Sequence, residues 1–112
     1  MKRIEAIIRP EKLEAMVEAL DALGHWGMNV TDVRGHGRQK GMKELFRGRE
    51  YEVRFIPKLK IEVVLKEAMV EKAIQMIISV AKTGQIGDGK IFVSEVLEVI
   101  RVRTGERGEA AV

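Results

Sequence analysis

Apolar residues recur along this 112-residue chain with two different periods, and the switches between them predict its elements in order. Ile4, Ala6 and Ile8 alternate with Arg3, Glu5, Ile7 and Arg9, the period of a strand with one fully apolar face. Pro10 stops that strand. With Glu11 after it, Pro10 suits a helix first turn, and Leu13, Met16, Val17, Leu20 and Leu23 follow at helical spacing until Gly24 ends the run. After the turn His25-Trp26-Gly27, a less regular segment from Met28 through Val33 to Gly35 favours a second strand through Val30, Thr31 and Val33. Leu59, Ile61, Val63 and Leu65 alternate with Lys60, Glu62 and Val64 in a third strand. Val70, Ala73, Ile74, Ile77 and Ala81 then share one face of a second helix, with Gly84 marking its end. A fourth strand begins at Ile91 and continues through Val93, Val96, Leu97 and Val99.

The order β-α-β-β-α-β predicts an α+β, ferredoxin-like fold in a single domain, residues 1–112, with an antiparallel sheet and both helices on one face. Two helices cannot cover the other face, which would carry Glu62 and Val64, so a homo-oligomer is expected to bury it.

Three segments interrupt the pattern. Residues 37–55 form a long loop between strands two and three, where a compact hairpin usually needs only about 2 to 5 residues. It carries Arg38, Lys40, Lys43, Arg47, Arg49 and Arg54 against Glu44, Glu50 and Glu52, with Leu45, Phe46 and Tyr51 among them, and reads as a recognition arm or as a solvated hairpin. Residues 82–90 are the second segment. Here Gly84, Gly87 and Gly89 let the backbone turn with positive φ and bring N–H groups near an anion, while Lys90 supplies a compact positive charge. Gly84, Gly89 and Lys90 also match the G-x-x-x-x-G-K spacing of a Walker A loop, but Ile91 stands where a magnesium-binding hydroxyl belongs, and this loop runs from helix into strand. An ordinary turn with Gly84 as helix cap and Asp88-Gly89 as corner fits equally well. The third segment, 101–112, is polar and punctuated by glycine. If the fourth strand continues, Arg101 and Arg103 share a face there and suit a polyphosphate; a frayed basic tail is the plainer reading.

Composition narrows the chemistry. Without cysteine there is no disulfide framework, thiolate metal site or cysteine nucleophile. No apolar run approaches the roughly 20 residues needed to span a bilayer, and Met1-Lys2-Arg3-Ile4-Glu5 does not resemble a signal peptide, so a cytoplasmic protein is expected. Net charge is +3 from 20 basic and 17 acidic residues, a small excess on a heavily charged surface rather than a nucleic-acid-binding balance. His25 and His36 lack ligand-spaced neighbours, and no Ser-His-Asp set or acid-base carboxylate pair stands out, so catalysis has little support.

Three stretches taken together carry a family resemblance: Gly35-His36-Gly37-Arg38-Gln39-Lys40-Gly41 leading to Arg47-Gly48-Arg49-Glu50-Tyr51, then Thr83 to Val93, then Arg101-Val102-Arg103-Thr104-Gly105-Glu106. They resemble the PII nitrogen-regulatory signal-transduction proteins along the whole chain. The resemblance implies a ferredoxin-like homotrimer with clefts between subunits, each binding ATP or ADP, with 2-oxoglutarate joining only the Mg-ATP form. By the same resemblance Gly87, Asp88, Gly89, Lys90, Arg101 and Arg103 would hold the phosphates, with Gly37 and Arg38 approaching from the long loop. Ile7, Gly35, Glu62 and Val64 would line the nucleoside. Gln39 would hold Mg²⁺ together with ligand oxygens, Lys58 would pair with a 2-oxoglutarate carboxylate, and Lys40, Gly41 and Gly87 would approach that ligand.

Tyr51 matches the family's uridylylation site and Arg47 a loop-tip contact to a partner. Ammonium transporters, nitrogen-metabolism enzymes or their regulators would be the partners, with no nucleic acid, and a membrane reached only through a transporter. The implied function is non-catalytic regulation of nitrogen assimilation. Asn29, Arg49 and His36 depart from common family residues, and Arg49 excludes phosphorylation at that position. The alternatives are a basic ferredoxin-like RNA-binding module, against which the 4% aromatic content argues, and a slow ATP-hydrolysing protein.

Overall fold

The computed structural model describes residues 1–24, 26–36 and 55–112, and the backbone alone of 43–46 and 49–52. In chain order the elements are β1 (Lys2–Ile8), a 3-10 turn (Pro10–Lys12), α1 (Leu13–Leu23), β2 (Met28–Gly35), β3 (Lys43–Phe46), β4 (Arg49–Glu52), β5 (Ile56–Leu65), α2 (Glu67–Ala81), β6 (Lys90–Glu95) and a final 3-10 turn (Gly108–Ala111). The main sheet is antiparallel with strand order β2-β5-β1-β6, the ferredoxin-like arrangement expected from the sequence.

Its core follows from period-two alternation. Ile4, Ala6 and Ile8 of β1 and Leu59, Ile61, Val63 and Leu65 of β5 point to one face, where they meet Met16 and Leu20 of α1 and Val70, Ala73, Ile77 and Ala81 of α2. Ile4, Met16, Ala73 and Leu65 have no exposed surface, which puts the centre of the domain where β1 and β5 lie beneath both helices. Glu62 and Val64 turn to the opposite face and are only half-buried. Among the described residues no helix is long and apolar enough to cross a membrane.

Three expectations need correction. Helix α2 ends at Ala81, with Lys82 already extended (φ −68°, ψ 128°), and Gly84 (φ 87°) lies in the loop beyond it rather than capping it. The reason is a competing acceptor: the amides of Thr83 and Gly84 donate to the Asp88 carboxylate, which draws the chain off the helical path. Strand β6 stops at Glu95 instead of running to Val99. Its partner β1 begins at Lys2, opposite Glu95, and after Val96 N–H donates to the Met1 carbonyl (3.1 Å) no strand remains to pair with.

Arg101 and Arg103 therefore do not share a strand face. They belong to a turn in which Arg101 N–H donates to the Glu106 carbonyl (2.9 Å) and Gly105 N–H to the Arg101 carbonyl (2.7 Å). Within the long loop, where the sequence left a hairpin open beside a recognition arm, the backbone forms the antiparallel hairpin β3–β4, with Lys43 opposite Glu52 and Phe46 opposite Arg49. His25 lies outside the described residues.

Ile61, 1% exposed at the middle of β5, gauges the core. Truncation to Ala is expected to cost about 2–5 kcal/mol in a urea unfolding titration. A loss under about 1 kcal/mol would contradict the assigned face of β5.

Candidate functional site

The face of the sheet that carries no helix receives the residues of opposite parity. Ile7 of β1 lies directly across from Lys60 on one side and Lys90 on the other; Val33 lies across from Lys58, and Gly35 from Ile56. Side chains at Ile7, Lys58, Lys90 and Phe92 thus share this face. At the end where β1 finishes and β6 begins, they line a cleft of about 730 Å³ with Gly35, His36, Ile56 and the 85–89 segment of the glycine loop. Sheet register alone brings two lysines, 32 positions apart in sequence, to one rim.

The glycine loop is seated against β1 by a backbone contact. Gly84, Gly87 and Gly89 have φ of 87°, 104° and 107°, as their glycine identity anticipated. A Cβ at position 89 would lie 1.7 Å from the Ile7 carbonyl oxygen, so only glycine lets the loop cross the end of β1 at this depth.

Asp88 organises the loop from within. Its carboxylate accepts from Thr83 N–H (2.7 Å), Gly84 N–H (2.9 Å) and the Thr83 hydroxyl, and from Arg9 Nε (3.1 Å), whose Nη2 also donates to the Ile86 carbonyl (3.0 Å). The Thr83 bonds, with help from Arg9 and Gly84, hold the Asp88 carboxyl well below the usual carboxylate range. Asp88 therefore lines the cleft with its side-chain oxygens already engaged by the protein.

Lys58 is 7% exposed, and its ammonium donates to the Gly87 carbonyl. Burial pushes its pKa down and the nearby Arg9 charge adds to this, against the opposing pull of Glu11 and Asp88. A cation desolvated in this way interacts strongly with any anion that enters the cleft. His36 stacks in a tilted arrangement on Phe55 (ring centroids 5.5 Å apart) at the foot of the long loop.

Of the residues singled out from sequence, the cleft gathers Ile7, Gly35, Lys58, Gly87, Asp88, Gly89 and Lys90. It does not gather Glu62 and Val64. They share the open face, but β5 carries them roughly 13 and 20 Å along from Lys58, at the rise of an extended strand. Arg101 and Arg103 are also absent from the lining, and the Arg101 guanidinium reaches Glu106 Oε1 (3.4 Å) and the Ala110 carbonyl (3.5 Å).

Gly37, Arg38, Gln39, Lys40, Gly41 and Arg47 lie outside the described residues, as does the side chain of Tyr51, whose backbone pairs with Glu44 in the hairpin. Sequence reasoning missed Arg9, Ile56 and Phe92, and assigned His36 no role. Arg9 had a visible signal, since it continues the alternation Arg3, Glu5, Ile7 toward the end of β1 that antiparallel pairing brings beside the glycine loop.

Comparison with known proteins places the whole chain in one family. The family model described as "Nitrogen regulatory protein P-II" matches residues 1–106. The chain is similar to the "Nitrogen regulatory protein P-II" of Cereibacter sphaeroides, at 59% identity over all 112 residues and the whole of both chains. It is also 55% identical to the "Nitrogen regulatory protein P-II 2" of Methanothermobacter thermautotrophicus, covering all of this chain and 97% of the relative, and 55% identical to the full-length "Nitrogen regulatory protein P-II 1" of Escherichia coli K12.

Two outcomes test the loop. Because folding lowers the Asp88 pKa, the carboxylate bonds contribute above its ordinary value of 3.8 and are lost only as pH falls through the lower folded value. The Thr83 and Gly84 amide shifts in NMR are therefore expected to stay flat from about pH 7 to about pH 4 and to titrate below that; a midpoint near 5 would mean the carboxylate is not held. Gly89→Ala is expected to displace the loop from Ile7, read as large shift changes confined to the loop and the end of β1. Spectra matching the parent would contradict the close approach.

Proposed function

Since the chain belongs to the nitrogen regulatory protein P-II family, we propose that it is a non-catalytic signal-transduction protein of nitrogen metabolism that senses ATP or ADP and 2-oxoglutarate. One observation carries this reading: in a chain that matches the family over residues 1–106, the sheet register and a positive-φ glycine loop converge Lys58, Lys90, Gly87 and Gly89 on one open-face cleft. Lys90 and a backbone turned by glycines fit the phosphates of a nucleotide. Lys58, desolvated and already bonded to a carbonyl oxygen, fits the carboxylate of a dicarboxylic acid.

In this reading the phosphates take Gly87, Asp88 (through its backbone), Gly89 and Lys90, with Gly37 and Arg38 approaching from the long loop. Ile7 and Gly35 border the nucleoside. Gln39 joins ligand oxygens around Mg²⁺, and Lys40, Gly41 and Gly87 stand near 2-oxoglutarate. The chemistry of the donors fits: a hard cation of this kind takes ligand phosphate oxygens and a few neutral oxygens, and a dedicated cage of carboxylates is not needed.

The separation of Glu62, Val64, Arg101 and Arg103 from this cleft supports a homotrimer in which a neighbouring copy supplies them. Surface chemistry points the same way, since Phe92, Leu97, Ile100 and Val102 are 53%, 96%, 51% and 99% exposed in the single chain.

Because Gly35 both borders the cleft and begins the segment leading to the long loop, ligands that bind here bias the loop's conformations and so its choice of partner. An ammonium transporter or a nitrogen-metabolism enzyme or regulator is the proposed partner class, contacted through Arg47, with Tyr51 a candidate for uridylylation in a cytoplasmic protein. An RNA-binding reading finds less support, because the described open face carries Phe92 as its aromatic residue and sets Glu5 directly across from Glu62.

Calorimetric titration of 2-oxoglutarate with Mg-ATP, with Mg-ADP and without nucleotide tests the coupling. Binding with Mg-ATP alone is expected, and no binding of either ligand would defeat the assignment. Lys90→Ala is expected to weaken ATP binding by about 1.5–3 kcal/mol with the fold intact.

A further inference from the structure

We infer that Arg9, which lies outside the cleft lining, is the positioning residue of the phosphate loop, acting through Asp88 and Ile86. The inference rests on the nucleotide reading of the cleft and deepens it.

The loop has a mechanical problem. Three glycines within six positions, 84 to 89, leave its peptide planes free to rotate, and that freedom must be removed before the N–H groups can face an anion in a fixed array. Side-chain packing cannot remove it where side chains are missing. The Arg9 guanidinium does so instead, reaching Asp88 Oδ1 with Nε (3.1 Å) and the Ile86 carbonyl with Nη2 (3.0 Å).

Holding the Ile86 carbonyl fixes the peptide plane that leads into Gly87. Since carbonyl and amide point in opposite directions across a trans peptide, the Gly87 N–H is turned away from Arg9. Lys58 acts in the same way on the next plane through the Gly87 carbonyl. Two consecutive planes are thus set by two cations anchored on the sheet side of the loop.

Arg9 has a second effect. Asp88 is the only acidic residue of the 82–90 segment, and an uncompensated carboxylate there would repel a phosphate. The guanidinium cancels that charge at contact distance, with the two side chains 16% and 24% exposed. Arginine suits both tasks because its rigid planar fork presents two donors at fixed spacing, which a lysine ammonium on a flexible stem does not.

The test is calorimetric ATP titration of the full chain and its variants, with thermal melting and amide exchange at Thr83 and Gly84. Arg9→Ala is expected to bind ATP about tenfold more weakly, with an unchanged melting temperature and faster loop exchange. Arg9→Lys, which keeps the charge but loses one arm of the fork, should fall between Arg9→Ala and the parent. Because Asp88 also holds the Thr83 and Gly84 amides, Asp88→Asn alone should weaken ATP binding and speed exchange at those amides, and adding Arg9→Ala to it should cost less than Arg9→Ala costs the parent; fully additive losses would show that Arg9 does not act through Asp88.

Parent-like ATP affinity in Arg9→Ala would overturn the inference and leave the nucleotide reading standing, whereas absence of ATP binding by the parent would overturn both. Should Arg9→Ala fail to fold, Arg9→Lys decides: affinity equal to the parent would show that the fork is not needed.

Discussion

The structure depends on the two-sided use of β1. As the central pair of strands, β1 and β5 must each commit one face to the helices, and β1 does so with Ile4, Ala6 and Ile8, all nearly without exposed surface. Strict alternation then leaves Arg3, Glu5 and Ile7 for the other face, and Arg9 just beyond the strand end. A slip of one residue would put charges into the core and the core into the cleft, so hydrophobic burial and site assembly are enforced by the same register. The Ile7 carbonyl completes the link by setting the depth at which Gly89 crosses the strand.

Charge in the loop is arranged around that frame. Asp88 does not face the cleft as a free carboxylate; it gathers two amides, a hydroxyl and a guanidinium, and so behaves as an internal staple. Lys58 is the counterpart, a buried cation whose ammonium donates to the Gly87 carbonyl and whose pKa burial pushes down. What remains toward the cleft is a positive rim on an apolar floor of Ile7, Ile56 and Phe92. Such a surface discriminates by charge at the rim and by shape at the floor.

Legibility in the sequence followed the range of the interactions. The core strands and helices were readable because alternation and 3.6-residue spacing are local, and Ile4 to Ile8, Leu59 to Leu65 and the α2 face Val70, Ala73, Ile77 and Ala81 all appear where the pattern placed them. Gly87, Gly89 and Lys90 were readable as a candidate anion loop because glycine admits the positive φ that other residues avoid, so its positions mark where the backbone can turn. The end of α2 and the end of β6 were not. The first is set by Asp88 capturing amides four and five residues earlier, the second by the point at which β1 runs out, and neither event leaves a mark at Gly84 or Val96.

The sequence by itself therefore determined the β-α-β-β-α-β order of the main sheet and its helices, the buried faces of β1, β5, α1 and α2, the positive-φ glycines of the 84–89 loop and, through its three motif segments, the family. Tertiary structure alone decided which distant residues share the cleft. It brought Lys58 beside Gly87, set Arg9 against Asp88 and Ile86, and kept Glu62, Val64, Arg101 and Arg103 away from them within one chain. The physical reason is that alternation states which side of a strand a residue faces, while its neighbour on that side is chosen by the pairing of strands far apart in sequence.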